Sequence, residues 1–134
     1  MQGKNGKIMY NGENGEEGLE KMNMDDLMEK MKMLEFHQKL LLKMVKETKF
    51  KFNYLVIEKS LTESEMGEIL YFCERMSKRY KKQKAEGFVY FHPLYDELYS
   101  FLQPKLEAEE VIDACLEQEL FVPLMTELKK YSRL

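Results

Sequence analysis

The sequence is poor in the residues that interrupt helices and in long apolar runs. Proline occurs three times in 134 residues, whereas Leu, Met, Lys and Glu are abundant, a composition that favours helix over sheet. No stretch reaches the roughly 18 to 20 uncharged apolar residues that a membrane span needs, so we expect no membrane partner. The amino terminus lacks the apolar core and small-residue cleavage site of a signal peptide, so secretion is not indicated.

Cysteine and histidine are equally scarce, with two of each. Cys73 and Cys115 both lie in helical apolar patterns, which predicts two reduced, partly buried thiols in a cytoplasmic protein. Neither His37 nor His92 has a His, Cys or acidic partner that we recognise at metal-ligand spacing on its own helix, and we interpret His92 as the N-cap before Pro93. We therefore predict no catalytic residue, no metal site and no cofactor.

Glycine is concentrated at one end of the chain, with five of the seven residues in the first 21. This segment has almost no periodic apolar residues, so we predict a disordered tail. Alternatively, the assigned start is wrong and the true start is Met22 or Met24. The codons for Glu16-Glu17-Gly18 have the composition of a purine-rich ribosome-binding site, and these two methionines follow closely. The predicted organisation is thus a tail over 1–21 and a single helical domain over 22–134. Because the only glycine-rich region is the tail, we recognise no phosphate-binding or dinucleotide-binding glycine motif.

A heptad pattern runs without a break from Met24 to Thr48. Its a positions are Met24, Met31, Gln38 and Val45, and its d positions are Leu27, Leu34, Leu41 and Thr48. Such a narrow apolar seam is typical of a helix that packs against a partner helix, and the polar Gln38 at a central a position is a device that specifies register. Our candidates for an oligomer interface are Leu27, Met31, Leu34, Gln38, Leu41 and Val45. The competing interpretation packs this helix against the C-terminal helices of its own chain.

The rest of the chain is predicted to form shorter helices. The aromatic and β-branched run over 50–57 is compatible with a strand, but we favour a buried helix because no second strand pattern lies nearby to pair with it. Thr62 and Glu65 form a capping box at the start of a helix that Gly87 should end. Prolines at 93, 104 and 123 mark further helix boundaries. The predicted fold is all-α, a multihelical single domain with a long N-terminal coiled-coil-like helix followed by several shorter helices.

A basic run closes the helix that begins after Thr62. Its members are Lys78, Arg79, Lys81, Lys82 and Lys84. They are candidates for a patch that grips a phosphate backbone. The alternative is that they complement the negative end of the helix dipole, opposite the acidic first turn. We favour the second interpretation, because the cations spread around the helix and the net charge of the whole chain is −3.

Several short segments resemble a known family. The stretch from Gln83 to Val89 (Gln-Lys-Ala-Glu-Gly-Phe-Val), Pro104-Lys105-Leu106-Glu107 and the late Leu124-Met125 are similar to the YhaI-like family of uncharacterised proteins from bacilli. The resemblance covers the chain from Met24 to the C-terminus. It implies a multihelical, self-associating bacterial protein without an assigned activity, and it supplies no catalytic residue. One departure is Glu119, which stands where the relatives favour glycine.

These observations favour a non-enzymatic, self-associating helical interaction or regulatory protein of the bacterial cytoplasm. The expected partners are copies of the same chain and an unidentified protein. A first alternative is a nucleic-acid-associated regulator that uses the basic run over 78–84. A second is an enzyme whose site forms between subunits. A pocket that holds Cys73, or a histidine beside an acid, would favour the enzyme.

Overall fold

A computed structural model of the chain describes residues 23–46 and 49–132. Within these residues there are six helices and no strand, which confirms the predicted all-α fold with a long first helix. The helices are α1 (Met24–Val45), α2 (Lys51–Glu58), α3 (Glu63–Ala85), α4 (His92–Leu102), α5 (Ala108–Glu117) and α6 (Val122–Lys129). The predicted tail over 1–21 and the seam position Thr48 lie outside the described residues.

The chain divides into two compact units, with the boundary between Leu41 and Leu42. The described part of the first unit consists almost entirely of α1. This helix starts with a side-chain cap, because Asn23 Oδ1 accepts a hydrogen bond of 2.7 Å from the amide of Asp26. Asp25 and Asp26 place negative charge in its first turn, where the helix dipole favours it.

The second unit contains the hydrophobic core. Helix α5 packs against α2, α4 and α6, and α3 packs against α4 and α6. All five helices contribute to one buried apolar cluster, whose largest fully buried side chains include Tyr95, Phe52, Met76, Leu98, Ile112 and Leu128. Both thiols belong to this cluster, as predicted. Cys73 is 0% exposed and Cys115 is 1% exposed.

Local signals place several helix ends where we predicted them. At the start of α3, Thr62 Oγ1 accepts from the amide of Glu65 at 3.1 Å, and Glu65 Oε1 accepts from the amide of Thr62 at 2.9 Å. The capping box is therefore confirmed. Pro104 follows the end of α4, and Pro123 lies in the first turn of α6. The run over 50–57 is helical, as α2, and not a strand.

Three helices end in the same hydrogen-bonded turn, known as the Schellman motif. After α3, the amide of Phe88 donates to the carbonyl of Gln83 at 3.0 Å, and Gly87 between them has φ +99°. The equivalent residues are Ser60 after α2, with φ +57°, and Glu119 after α5, with φ +61°. Left-handed backbone favours glycine, but only one of the three positions carries it. Glu119 therefore makes the tight turn that glycine makes more easily.

Two polar contacts join helices that are distant in sequence. Gln118 Oε1 accepts from the amides of Phe52 at 2.8 Å and Asn53 at 3.0 Å, so its side chain caps the N-terminus of α2. The Gln118 amide group also donates to Asn53 Oδ1 at 2.8 Å. In the core, the hydroxyl of Tyr95 donates to the buried carboxylate of Glu109 at 2.6 Å. These contacts satisfy polar groups that would otherwise be costly to bury.

Candidate association surface

The main feature of α1 is its exposed apolar surface. None of its residues is buried. The apolar seam residues, which we call the first stripe, are Met24, Leu27, Met31, Leu34 and Leu41, with exposed fractions between 43% and 68%. The polar seam residue Gln38 is exposed as well, and Val45 is half-buried. The structure thus brings the sequence-predicted interface candidates together along one side of a continuous helix.

Besides Met28, four further apolar side chains of α1 are exposed outside the seam. They are Met33, Phe36, Leu40 and Met44, which we call the second stripe. Their spacing of three, four and four residues places them on a common face of the helix. The heptad pattern does not include this face, because it contains positions a and d only; Met33 and Met44 were recognisable from the sequence as apolar residues outside the seam. The step of three and four in these residues was the signal that could have found it.

The basic run lies exposed at the end of α3, but part of its charge is already compensated. Arg79 makes two hydrogen bonds of 2.8 Å to the carboxylate of Glu97, and Lys78 lies 3.9 Å from Glu74. The Arg79 guanidinium keeps the pKa of Glu97 below its usual value. The ammonium of Lys84 lies 5.7 Å from the centre of the Tyr80 ring. The five cations therefore do not form one uniform phosphate-binding row.

His92 corrects two of our sequence interpretations. It is the first residue of α4 and not the N-cap, which is Phe91. It also has an acidic partner that we overlooked, because Asp96 lies four residues later and its Oδ2 is 3.2 Å from His92 Nδ1.

The nearby hydroxyl of Tyr131 accepts from the amide of Phe91 at 3.0 Å and contacts Glu127. That hydroxyl is thus engaged in structural hydrogen bonds and is poorly placed to act as a nucleophile.

The thiols provide no alternative nucleophile at the surface. Burial raises the pKa of Cys73 to about 12, with a smaller contribution from the neighbouring Cys115 thiol, and burial raises the pKa of Cys115 to about 12. Both are therefore protonated and inaccessible near neutral pH. Their positions are those of core residues.

Two clefts adjoin each other on the surface of α3 and α4. One has a volume of about 280 Å³ and the other about 500 Å³. The larger is lined by Glu68, Tyr71, Phe72, Arg75, Met76, Arg79 and Phe101. Neither cleft is lined by a histidine or by Cys73. The combination that would favour an enzyme, a pocket that holds Cys73 or a histidine beside an acid, is not found in these two clefts.

Residues 23–46 and 49–132 also bear on a metal site and on a membrane span. No group of three or more His, Cys, Asp or Glu side chains in this part of the chain is arranged to hold a metal ion. No helix there has the length and apolar character required to cross a bilayer.

Comparison with known families supports the assignment of the helical part of the chain. Residues 24–133 match a family described as protein of unknown function, DUF1878. The chain belongs to this family. In this member of DUF1878, the match begins at the first residue of α1 and includes all six described helices. The exposed first helix is therefore an integral part of the family's sequence pattern.

Proposed function

We propose that this DUF1878 protein is a non-enzymatic interaction or regulatory protein that self-associates through the first stripe of α1. The observation that carries this proposal is the exposure of a continuous apolar seam on an otherwise regular helix. Monomeric soluble proteins rarely expose contiguous apolar surface of this kind unless it is used for association. A parallel pairing of two copies supports the proposal, because Lys30 at position g would face Glu35 at position e of the second copy.

The expected strength of this assembly follows from the exposed area. Each of the five apolar residues of the first stripe is about half exposed, so burying it contributes about 1 kcal/mol, or about 10 kcal/mol for two helices. Association costs about 4 to 15 kcal/mol in lost translational and rotational freedom. The most favourable difference is about −6 kcal/mol, which corresponds to a dissociation constant of tens of micromolar, so we expect a weak assembly that dissociates upon dilution below that range.

Leu34→Asp tests the proposal, because it would bury an unpaired charge in the seam. We expect the wild-type protein to be an oligomer by light scattering at tens of micromolar, and the variant to be a monomer. Leu40→Asp is the matched control, since it makes the same change on the other face of α1 and should leave the oligomer intact. A wild-type monomer, or an oligomer that persists in Leu34→Asp, would contradict the proposal.

Gln38 supplies a second test of the same surface. A buried polar residue at an a position commonly trades stability for a defined register and chain number. We expect Gln38→Leu to lower the dissociation constant while allowing additional stoichiometries, which analytical ultracentrifugation resolves. A variant that dissociates more readily than the wild type would place Gln38 outside the interface.

The source and surroundings of the protein are part of the proposal. The similarity to the YhaI-like family supports an origin in bacilli and a cytoplasmic location. The composition of 22–134 supports a single helical domain. Disulfide-free core thiols fit a reducing compartment, because such compartments keep cysteines reduced.

A nucleic-acid-associated role is the second candidate. It is favoured by the exposed Lys81 and Lys82, which are followed in the sequence by the exposed aromatic residues Phe88 and Tyr90. Binding of this kind weakens steeply as salt rises, and each lost phosphate contact reduces the slope. Fluorescence anisotropy with labelled oligonucleotides at 50 and 200 mM salt tests it. Wild-type binding that is absent, or unchanged in Lys81→Ala/Lys82→Ala, would contradict this role.

A further inference from the structure

The second stripe of α1 is separate from the face that self-association would use. Successive residues of a helix are rotated by roughly 100°, so Met33, Phe36, Leu40 and Met44 lie within a sector of roughly 80°. The centre of this sector is rotated by roughly 145° from the centre of the first stripe. A two-stranded contact along the first stripe would therefore leave the second stripe uncovered.

The exposure of the second stripe is substantial. The exposed fractions are 46% for Met33, 57% for Phe36, 43% for Leu40 and 72% for Met44. The four side chains span 12 residues, or roughly 17 Å of helix. Apolar anchors spaced in this way match the pattern by which one amphipathic helix binds along the apolar face of another.

The charges that flank the second stripe are all positive. Lys32, Lys39 and Lys43 lie along one side, and Lys30 lies along the other. Asp25, Asp26 and Glu29 occupy the same face but precede Met33, and Glu35 points toward the first stripe. Beyond Met33, the apolar part of the face is therefore bordered on one side by Lys39 and Lys43.

We propose that the second stripe is a docking surface for an acidic amphipathic helix of another protein. The apolar ridge of that helix would cover Phe36 and Leu40, and carboxylates beside the ridge would face the flanking lysines. The second stripe of another copy is a poorer occupant when the two stripes overlap fully, because such a pairing brings Lys39 and Lys43 of the two copies together. This proposal does not depend on self-association through the first stripe.

The probe is a labelled 21-residue synthetic helix with leucines at i, i+3, i+4 and i+7 and glutamates on both edges. Its matched control has lysine in place of every glutamate. By fluorescence anisotropy, we expect the acidic peptide to bind with a mid-micromolar or lower dissociation constant and the basic peptide to bind at least tenfold more weakly. Binding of the acidic peptide should weaken as salt rises from 50 to 500 mM.

Three variants locate the binding. Leu40→Asp should weaken binding of the acidic peptide at least tenfold and leave the oligomer and the thermal midpoint unchanged. Leu34→Asp should retain binding of the acidic peptide even if it abolishes self-association, which separates this proposal from the proposed function. The double variant Lys39→Glu/Lys43→Glu should exchange the preference and bind the basic peptide more tightly than the acidic one.

Four results would overturn the proposal. One is absence of acidic-peptide binding at a peptide concentration of 0.5 mM, and another is equal binding of both peptides. A third is dissociation of the oligomer by Leu40→Asp, which would show that a second copy covers the second stripe. The fourth is a clear loss of thermal stability in Leu40→Asp, which would show that the chain itself covers this surface.

Discussion

Glu119→Gly should make the protein more stable, although it removes a charged side chain and adds no contact. Glu119 occupies the left-handed position that ends α5, with φ +61°. Its amide donates to the carbonyl of Leu116 at 3.1 Å, and the amide of Leu120 donates to the carbonyl of Cys115 at 2.8 Å. Glycine can keep both hydrogen bonds. The substitution therefore changes only the backbone preference at this position.

The magnitude is a difference between two conformational terms. A left-handed backbone costs an L-residue about 1 to 2 kcal/mol, which glycine does not lose. Glycine gives the unfolded chain more freedom, which costs about 0.5 to 1 kcal/mol. The net gain in the free energy of unfolding is about 0.5 to 1 kcal/mol. For a chain of this size we expect the thermal midpoint to rise by about 3 °C.

Two Gly→Ala variants are the matched controls for Glu119→Gly. Gly87→Ala should lower the free energy of unfolding by about 0.5 to 1 kcal/mol, because Gly87 has φ +99°. No atom lies within 4 Å of the added Cβ, so a steric clash does not contribute. Gly67→Ala makes the identical change inside α3, also without a neighbour within 4 Å, and should raise stability by about 1 kcal/mol.

The assay is urea unfolding followed by circular dichroism, at a protein concentration where the oligomeric state of all variants is the same. We expect opposite signs for the two Gly→Ala variants and a gain for Glu119→Gly. A loss in Glu119→Gly together with no effect in Gly87→Ala would refute the reasoning. It would mean that side-chain contacts, and not the left-handed backbone, decide stability at these turns.

Four further predictions concern the start of α3, the cap of α2, the core and residues 1–21. Thr62→Ala should remove the capping box and cost about 1 kcal/mol in urea unfolding, whereas a neutral result would mean that the cap contributes nothing. Gln118→Ala should cost about 2 kcal/mol, because two amides of the first turn of α2 lose their acceptor, and an effect below about 0.5 kcal/mol would contradict this role. Cys73 and Cys115 should not react with a thiol reagent in the native protein at pH 8, and both should react in denaturant. Rapid native reaction would contradict their burial. Deletion of 1–21 should leave the thermal midpoint unchanged, and a substantial loss would show that this segment contributes to the fold.

Features that depend on nearby residues were predictable from the sequence. The capping box needs only Thr62 and Glu65, three residues apart. The end of α3 needs only a glycine after a helical pattern. The period of apolar residues placed the two cysteines on buried helix faces. The absence of a second strand pattern nearby favoured helix over strand for 50–57, where the aromatic composition alone was ambiguous. Each of these signals lies within one or two helical turns.

Other features depend on residues that the fold alone brings together. Gln118 caps α2 from 65 residues away, and a lone glutamine near a helix end has no pattern that predicts this. Tyr95 and Glu109 form a buried pair for the same reason. The bidentate contact between Arg79 and Glu97 lies between α3 and α4, so the sequence overestimated the free charge of the basic run.

The surface of α1 shows what the sequence determines and what only the tertiary structure decides. The sequence by itself determined which residues share a face, because the helical period sets the direction of every side chain. The exposure of those faces was decided only by the tertiary structure, since the same apolar pattern also fits a helix buried in its own chain. Burial depends on which helix faces pack together after the chain folds, and local periodicity does not specify which faces those are.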